Sequence, residues 1–352
     1  MDELFQALRR HLDSLPAGFP STPSGVEIRI LKRLFTPDEA RLALGLTMLP
    51  EPPDQIAQRL GLEADELSQQ LKRMSEKGLI FRRSKGDQQC YSAAQFVVGI
   101  WEYHVKDLDE ALIRDVNEYL PHLFKESWGQ RKTKQLRVIP VSQSLNSNLN
   151  VMPYEVAETI VKQQSKIVVA PCICRTEHKM IGKECDFPIE VCFSFGSGAY
   201  YYEQNGLGRS VSQQEALALM RNGVEAGLVL QPGNQKKPMC ICMCCGCCCQ
   251  ILKNLKSLPR PAQAVNSNYF AVVEESTCSA CGQCQSRCHM EAIEIQETAV
   301  VDLDRCIGCG VCVIGCETGA LRLDQKDPDE QWIPPATVVE TYMNIAKERG
   351  NL

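Results

Sequence analysis

Two runs of this chain repeat one spacing of cysteines. Residues 278–289 read C-S-A-C-G-Q-C-Q-S-R-C-H and residues 306–317 read C-I-G-C-G-V-C-V-I-G-C-E, both C-x2-C-x2-C-x3-C. In this pattern the first three thiolates of a run cap three corners of an iron–sulfur cube, and the fourth cysteine reaches the other cube. The spacing therefore assigns Cys278, Cys281, Cys284 and Cys316 to one [4Fe–4S] cluster. It assigns Cys306, Cys309, Cys312 and Cys288 to a second. Glycines at 282, 308 and 310 would let backbone N–H groups approach the sulfur atoms, and such bonds help set a potential. Two zinc knuckles are the competing reading, but zinc rarely takes its ligands as two identical four-cysteine runs.

A second population of cysteines lies upstream. Cys172-Ile173-Cys174-Arg175 is followed by His178, Cys185 and Cys192, and residues 240–249 read C-I-C-M-C-C-G-C-C-C. Adjacent cysteines cannot easily pair, so no disulfide framework packs them this densely, and metal ligation is the natural use. One or two further iron–sulfur clusters are expected here. The candidate ligands are Cys172, Cys174, Cys185 and Cys192 upstream, with Cys242, Cys245 and Cys248 from the run. A zinc site, with His178 as a possible ligand, is the alternative. The chain has 20 cysteines in 352 residues, and all but Cys90 lie beyond residue 170. Clustered cysteines in a long chain read as metal ligation in a reducing compartment.

The elements that must position these residues suggest a multidomain α+β chain. An N-terminal helix and a winged helix-turn-helix are expected over 1–100, a helical connector over 101–134 and a central cysteine-rich α/β metal module over 135–258. A two-cluster domain follows over 262–326 and a terminal helix over 327–352. Thr36-Pro37-Asp38-Glu39 is a capping box with proline at the first helical position. Helices ending near Gly61 and Gly78, then LIFRR and QQCYS around Ser84-Lys85-Gly86-Asp87, give the helix order and hairpin of a winged helix. Leu108, Leu112, Val116 and Leu120 predict one amphipathic helix over 101–127. RVIPV and KIVVA predict two strands around a helix that starts near Pro153. Ser212-x-x-Glu215 caps a helix to about Gly227, and LVLQ is a strand. The glycine-rich aromatic stretch with Tyr200, Tyr201 and Tyr202 reads as a loop packed beside the clusters.

The segment from about 268 to 325 resembles the bacterial two-cluster ferredoxins, which implies a ferredoxin-like fold and a role in moving electrons. One departure stands out: that family usually has proline after the fourth cysteine, where this chain has His289 and Glu317. Most of the chain also resembles a group of proteins from anaerobes, in which a winged helix precedes a CICR…CCxCCC module and a two-cluster tail. That second resemblance carries organisation rather than mechanism.

Three functions compete. The first is an electron carrier, passing low-potential electrons to or from a partner oxidoreductase. The second is a redox-sensing transcription regulator that reads DNA with the winged helix. The third is a reductase subunit using the central cluster. No G-x-G-x-x-G opening a helix and no Walker loop supports an autonomous oxidoreductase. Two fully ligated clusters exceed what sensing needs, which favours electron transfer. The formal net charge is -5. Residues 24–87 carry eleven Lys or Arg against ten Asp or Glu, so the winged helix has no strong field for phosphate. Docking or dimerisation through it is preferred to DNA binding. No apolar run approaches the ~18 residues of a membrane span. The N-terminal helix lacks the apolar core and cleavage site of an export signal, so a cytoplasmic location is expected.

Overall fold

In the computed structural model, which describes residues 2–86 and 88–351, the chain forms two compact units. The first comprises residues up to 130 with 197–209 and the last residues from 345; the second comprises 131–196 and 210–344. Helix and strand are mixed, as α+β requires. No helix among the described residues is long and apolar enough to cross a membrane.

The first unit begins with helices α1 (Asp2–Ser14), α2 (Val26–Leu34), α3 (Pro37–Leu44), α4 (Pro53–Leu60) and α5 (Ala64–Glu76). The capping box forms as expected: the Glu39 N–H donates to Thr36 Oγ1 at 3.3 Å, and the Thr36 N–H to Glu39 Oε2 at 2.7 Å. Strands β1 (Ile80–Lys85) and β2 (Gln88–Ala93) follow as an antiparallel hairpin in register from Ile80↔Ala93 to Lys85↔Gln88. Asp87 and the side chain of Lys85, both part of the expected turn, lie outside the described residues.

Two expectations for this unit fail. The single helix over 101–127 is interrupted. A short helical stretch ends at Tyr103, and a new helix, Glu110–Leu123, starts where the Asp109 side chain accepts the Leu112 N–H at 2.8 Å. Leu108 therefore lies outside the helix that carries Leu112, Val116 and Leu120. The stretch with Tyr200–Tyr202 is a helix, Gly196–Gln204, and not a loop. Tyr201 is fully buried in the first unit, and its hydroxyl donates to the Ser75 and Ile80 carbonyls at 2.9 and 3.0 Å. A buried phenol needs such partners, and those two carbonyls supply them.

The second unit is built on a sheet. Strands β3 (Ile167–Pro171), β4 (Glu190–Phe195), β5 (Arg209–Ser210, where the chain re-enters), β6 (Val229–Pro232) and β7 (Cys240–Cys244) lie in the order β5-β3-β4-β7-β6. The β3–β4, β4–β7 and β6–β7 pairs are antiparallel. RVIPV does not form a strand. It contributes only one isolated bridge, Ile139↔Leu230, with a second just before it at Leu136↔Gly233. Ser212 caps the helix Gln213–Glu225, accepting the Glu215 N–H at 3.1 Å. Beyond the helix Gln250–Lys256, β8 (Tyr269–Val273) pairs with β11 (Leu321–Gln325), and β9 (Ile293–Ile295) with β10 (Ala299–Val301). A buried carboxylate braces this end: Glu155 accepts from Asn268 Nδ2 at 2.9 Å and from the Tyr269 hydroxyl at 3.0 Å.

Gly308 is needed where the second cysteine run meets β8. Its φ is +68°, and a Cβ there would lie 2.0 Å from the Tyr269 carbonyl oxygen. Since Tyr269 is paired with Gln325 across β8–β11, it cannot retreat without opening that ladder. Gly308→Ala should cost about 2–3 kcal/mol or more, read as a lower thermal midpoint with loss of bound iron. An unchanged midpoint would show that the two segments are not pressed together.

Candidate metal centres

The sheet register explains why distant cysteines meet. Side chains alternate along a strand, so Cys240, Cys242 and Cys244 share one face of β7, while Ile241 and Met243 are buried on the other. Cys192 on β4 stands directly opposite Cys242. Gln231 on β6, the partner of Cys242 on its other side, turns its amide to Cys249 Sγ at 3.8 Å. Cys172 closes β3 and caps the helix Ile173–Met180, whose first turn holds Cys174. Thiol contacts then run from Cys172 to Cys174, on to Cys249 and Cys244, and through Cys242 to Cys192 and Cys240.

The remaining cysteines gather separately. Cys185, Cys245, Cys247 and Cys248 place their Sγ atoms all within 4.8 Å of one another. The seven upstream candidates are thus divided between two sets. Cys172, Cys174, Cys192 and Cys242 belong to the sheet-face set, and Cys185, Cys245 and Cys248 to the loop quartet. Cys244, Cys249, Cys240 and Cys247 complete these sets and were absent from the sequence candidates. Strand alternation from Cys242 could have found Cys240 and Cys244. Nothing in the sequence orients Cys247 or Cys249, which sit in a loop and at a helix cap.

Arg175 lies between the two sets. It is 4% exposed, donates from Nη1 to the Pro188 carbonyl at 2.9 Å and from Nη2 to that of Met243 at 3.1 Å, and leaves its buried Nε without a partner. Burial works against its charge, but the thiols of Cys172, Cys245 and Cys244 outweigh it and hold the pKa above the ordinary arginine range. Contact with Cys174 brings the Cys172 thiol down to about 7. A buried cation with a spare donor, ringed by sulfur, suits an anionic thiolate-bound group. His178 does not join them: its Nδ1 faces the Cys174 carbonyl at 2.8 Å and its Nε2 faces Lys253 at 3.2 Å.

In the C-terminal segment the eight spaced cysteines line two cavities. Cys278, Cys281, Cys284 and Cys316 surround one, with Gly282, Ile295 and Leu321. Cys288, Cys306, Cys309 and Cys312 surround the other, with Ala271, Ile293 and Leu323. Backbone N–H groups reach the sulfurs from β8, from β10 and from the residue just before β9. Ala271 donates to Cys306 at 3.4 Å, Ala292 to Cys288 at 3.3 Å and Ala299 to Cys278 at 3.4 Å. Burial pushes the Cys309 thiol up to about 12 and that of Cys312 well above its usual value. Metal binding at these positions therefore has to displace protons. Thiolate donors, apolar walls and N–H groups aimed at sulfur are the set that an iron–sulfur cluster requires.

Residues 299–322 match the 4Fe-4S binding domain family. That stretch includes Cys306, Cys309, Cys312 and Cys316. No curated protein and no solved structure matched the chain. The domain match and the cysteine-rich centres together make this an iron–sulfur, metal-binding protein.

His289, the residue that stands where ferredoxins usually have proline, joins the two cysteine regions. Its Nδ1 accepts the Gly246 N–H at 3.1 Å, and its Nε2 faces the Gly227 carbonyl at 2.7 Å. Gly246 lies between Cys245 and Cys247, and a Cβ there would sit 2.7 Å from the His289 carbonyl oxygen.

Replacing Arg175 by methionine keeps the bulk and removes the charge. Arg175→Met should strip most iron from the central cysteines while the C-terminal segment keeps its own, because only the former face the guanidinium. The check is iron and sulfide content after anaerobic purification, and equal loss from both regions would count against a local role.

Proposed function

We propose that this protein is an iron–sulfur electron carrier, passing low-potential electrons one at a time to or from a partner oxidoreductase. The observation that carries the reading is the sorting of eight cysteines around two neighbouring cavities. In each, three ligands come from one run and the fourth from the other. On this reading Cys278, Cys281, Cys284 and Cys316 hold one [4Fe–4S] cluster, and Cys306, Cys309, Cys312 and Cys288 hold the second. When bound, each cluster supplies reversible one-electron chemistry. The exchanged fourth ligands bring the two sites close together. The apolar walls of Ile293, Ile295, Leu321 and Leu323 keep water out, and the N–H groups of Ala271, Ala292 and Ala299 stabilise the more reduced, more negative state. The sheet-face thiols of Cys172, Cys174, Cys192 and Cys242, with Cys244 and Cys249, are the natural place for a further cluster.

For the N-terminal unit, the order of α3, α4, α5 and the hairpin supports a winged helix used for docking to a protein or a second copy. Some of the basic residues a DNA reader would use are engaged. Arg82 is 8% exposed and bonded to Asn205, with Glu76 at 3.7 Å. Lys77 pairs with Glu39 at 2.8 Å, and Lys72 lies 3.9 Å from Glu76. At the start of α5 the exposed Asp65 and Glu66 would meet phosphate with like charge. Arg73 and Arg83 remain exposed.

Two experiments test these readings. Anaerobically purified full-length protein should contain clearly more than the roughly eight iron and eight sulfide of a two-cluster domain. Reductive titration should give the EPR signals of interacting [4Fe–4S] centres, and Cys281→Ser should damage one of them first. Stoichiometric zinc without sulfide would end the electron-carrier reading. In a genomic DNA pull-down with holoprotein, binding should be weak and vanish as salt is raised. Salt-resistant enrichment of particular promoters would make the redox regulator the better reading.

A further inference from the structure

The loop quartet of Cys185, Cys245, Cys247 and Cys248 differs in kind from the two cavities of the C-terminal segment. Its four Sγ atoms all lie within 4.8 Å of one another, and no other group of His, Cys, Asp or Glu among the described residues is gathered so tightly. Sulfur spacing reports what sits between the sulfurs. A single ion with four thiolates at about 2.3 Å makes a tetrahedron whose edges are about 3.8 Å. A cube places a separate iron beneath each thiolate, so its ligands stand farther apart, at the outer corners. Cys185 Sγ lies 3.5 Å from Cys248 Sγ. That is close to the tetrahedral edge and well beyond the ~2.05 Å of a disulfide.

We propose that Cys185, Cys245, Cys247 and Cys248 bind one tetrahedrally coordinated metal ion, iron or zinc, as a centre separate from any iron–sulfur cluster. The inference goes beyond the electron-carrier reading, because a single ion brings no inorganic sulfide. Several features of the site agree with it. Cys245 and Cys248 are buried, Cys185 is half-buried and Cys247 is exposed, so an ion has a path in and a largely dry seat. Three of the ligands come from one four-residue loop that directly follows β7, so their backbone is fixed by the sheet. The fourth arrives from a distant segment, which the ion would fasten to that loop. Both iron and zinc accept four thiolates in this geometry.

The test compares the full-length chain with Cys185→Ser/Cys247→Ser, both purified anaerobically, by metal analysis and acid-labile sulfide. The double variant should lose one metal ion per chain and no sulfide. In the unaltered chain, a zinc ion should show four sulfurs at about 2.3 Å by zinc-edge X-ray absorption, with zinc falling in the variant. An iron ion should give a single-iron Mössbauer component that is absent from the variant. Loss of iron and sulfide together would place a cluster on the quartet and overturn the proposal. No loss of metal would overturn it as well. Should the variant fold poorly, seen as loss of the EPR signals of the C-terminal centres, the unaltered chain decides, and absence of any one-ion four-sulfur component refutes the site. Absence of sulfide from the unaltered chain would instead sink the electron-carrier reading, while leaving this one to be judged by its single ion.

Discussion

The second unit depends on holding many sulfur atoms close together inside protein. Ionised thiols repel, and burial penalises each charge further. With its thiols ionised, an arrangement such as the quartet of Cys185, Cys245, Cys247 and Cys248 is stable only if positive charge sits among the sulfurs. The buried guanidinium of Arg175 supplies part of that charge within the protein itself. On the proposed reading metal supplies the rest, so folding of this unit and metal loading are expected to be linked, with acid opposing both.

The scaffolding around the sulfurs answers to this constraint. Antiparallel pairing sets Cys192 against Cys242, and alternation along β7 turns Cys240 and Cys244 to the same face. The C-terminal segment uses another device. There, short loops carry the cysteines, β8 and β10 present N–H groups to Cys306 and Cys278 in equivalent ways, and the internal repeat of the sequence becomes a repeated sulfur environment. The sheet-face set gathers thiols by register and the C-terminal segment by loop spacing.

That difference explains what could be read from the sequence. Spacing within a loop is local, so the runs at 278–288 and 306–316 sort into the two sets that line the two cavities. Capping boxes at Thr36 and Ser212 are local too, and both form. Register is not local. The placement of Cys240 and Cys244 beside Cys192 depends on which strands pair, and neither residue stood out beforehand. Cys247 was missed because adjacent cysteines in an irregular loop have no periodicity to orient them. The helix with Tyr201 was missed for a similar reason. Its burial is decided by carbonyls at Ser75 and Ile80, more than a hundred residues away in sequence. The break before Glu110 hinged on one aspartate cap competing with an otherwise continuous apolar face.

His289 has a consequence for how such chains can evolve. Small iron–sulfur segments are easily imagined as cassettes, added to or removed from larger proteins by recombination. Here the imidazole that follows Cys288 is hydrogen-bonded to Gly246, and Arg287 and Arg305 on the same segment donate to the carbonyls of Glu225 and Lys256. A transplanted copy of the segment would carry these donors away from their acceptors. An ordinary ferredoxin grafted in its place would bring proline, which can neither accept from Gly246 nor follow the same backbone course. These contacts tie the two cysteine regions together, so exchanging one alone would break them.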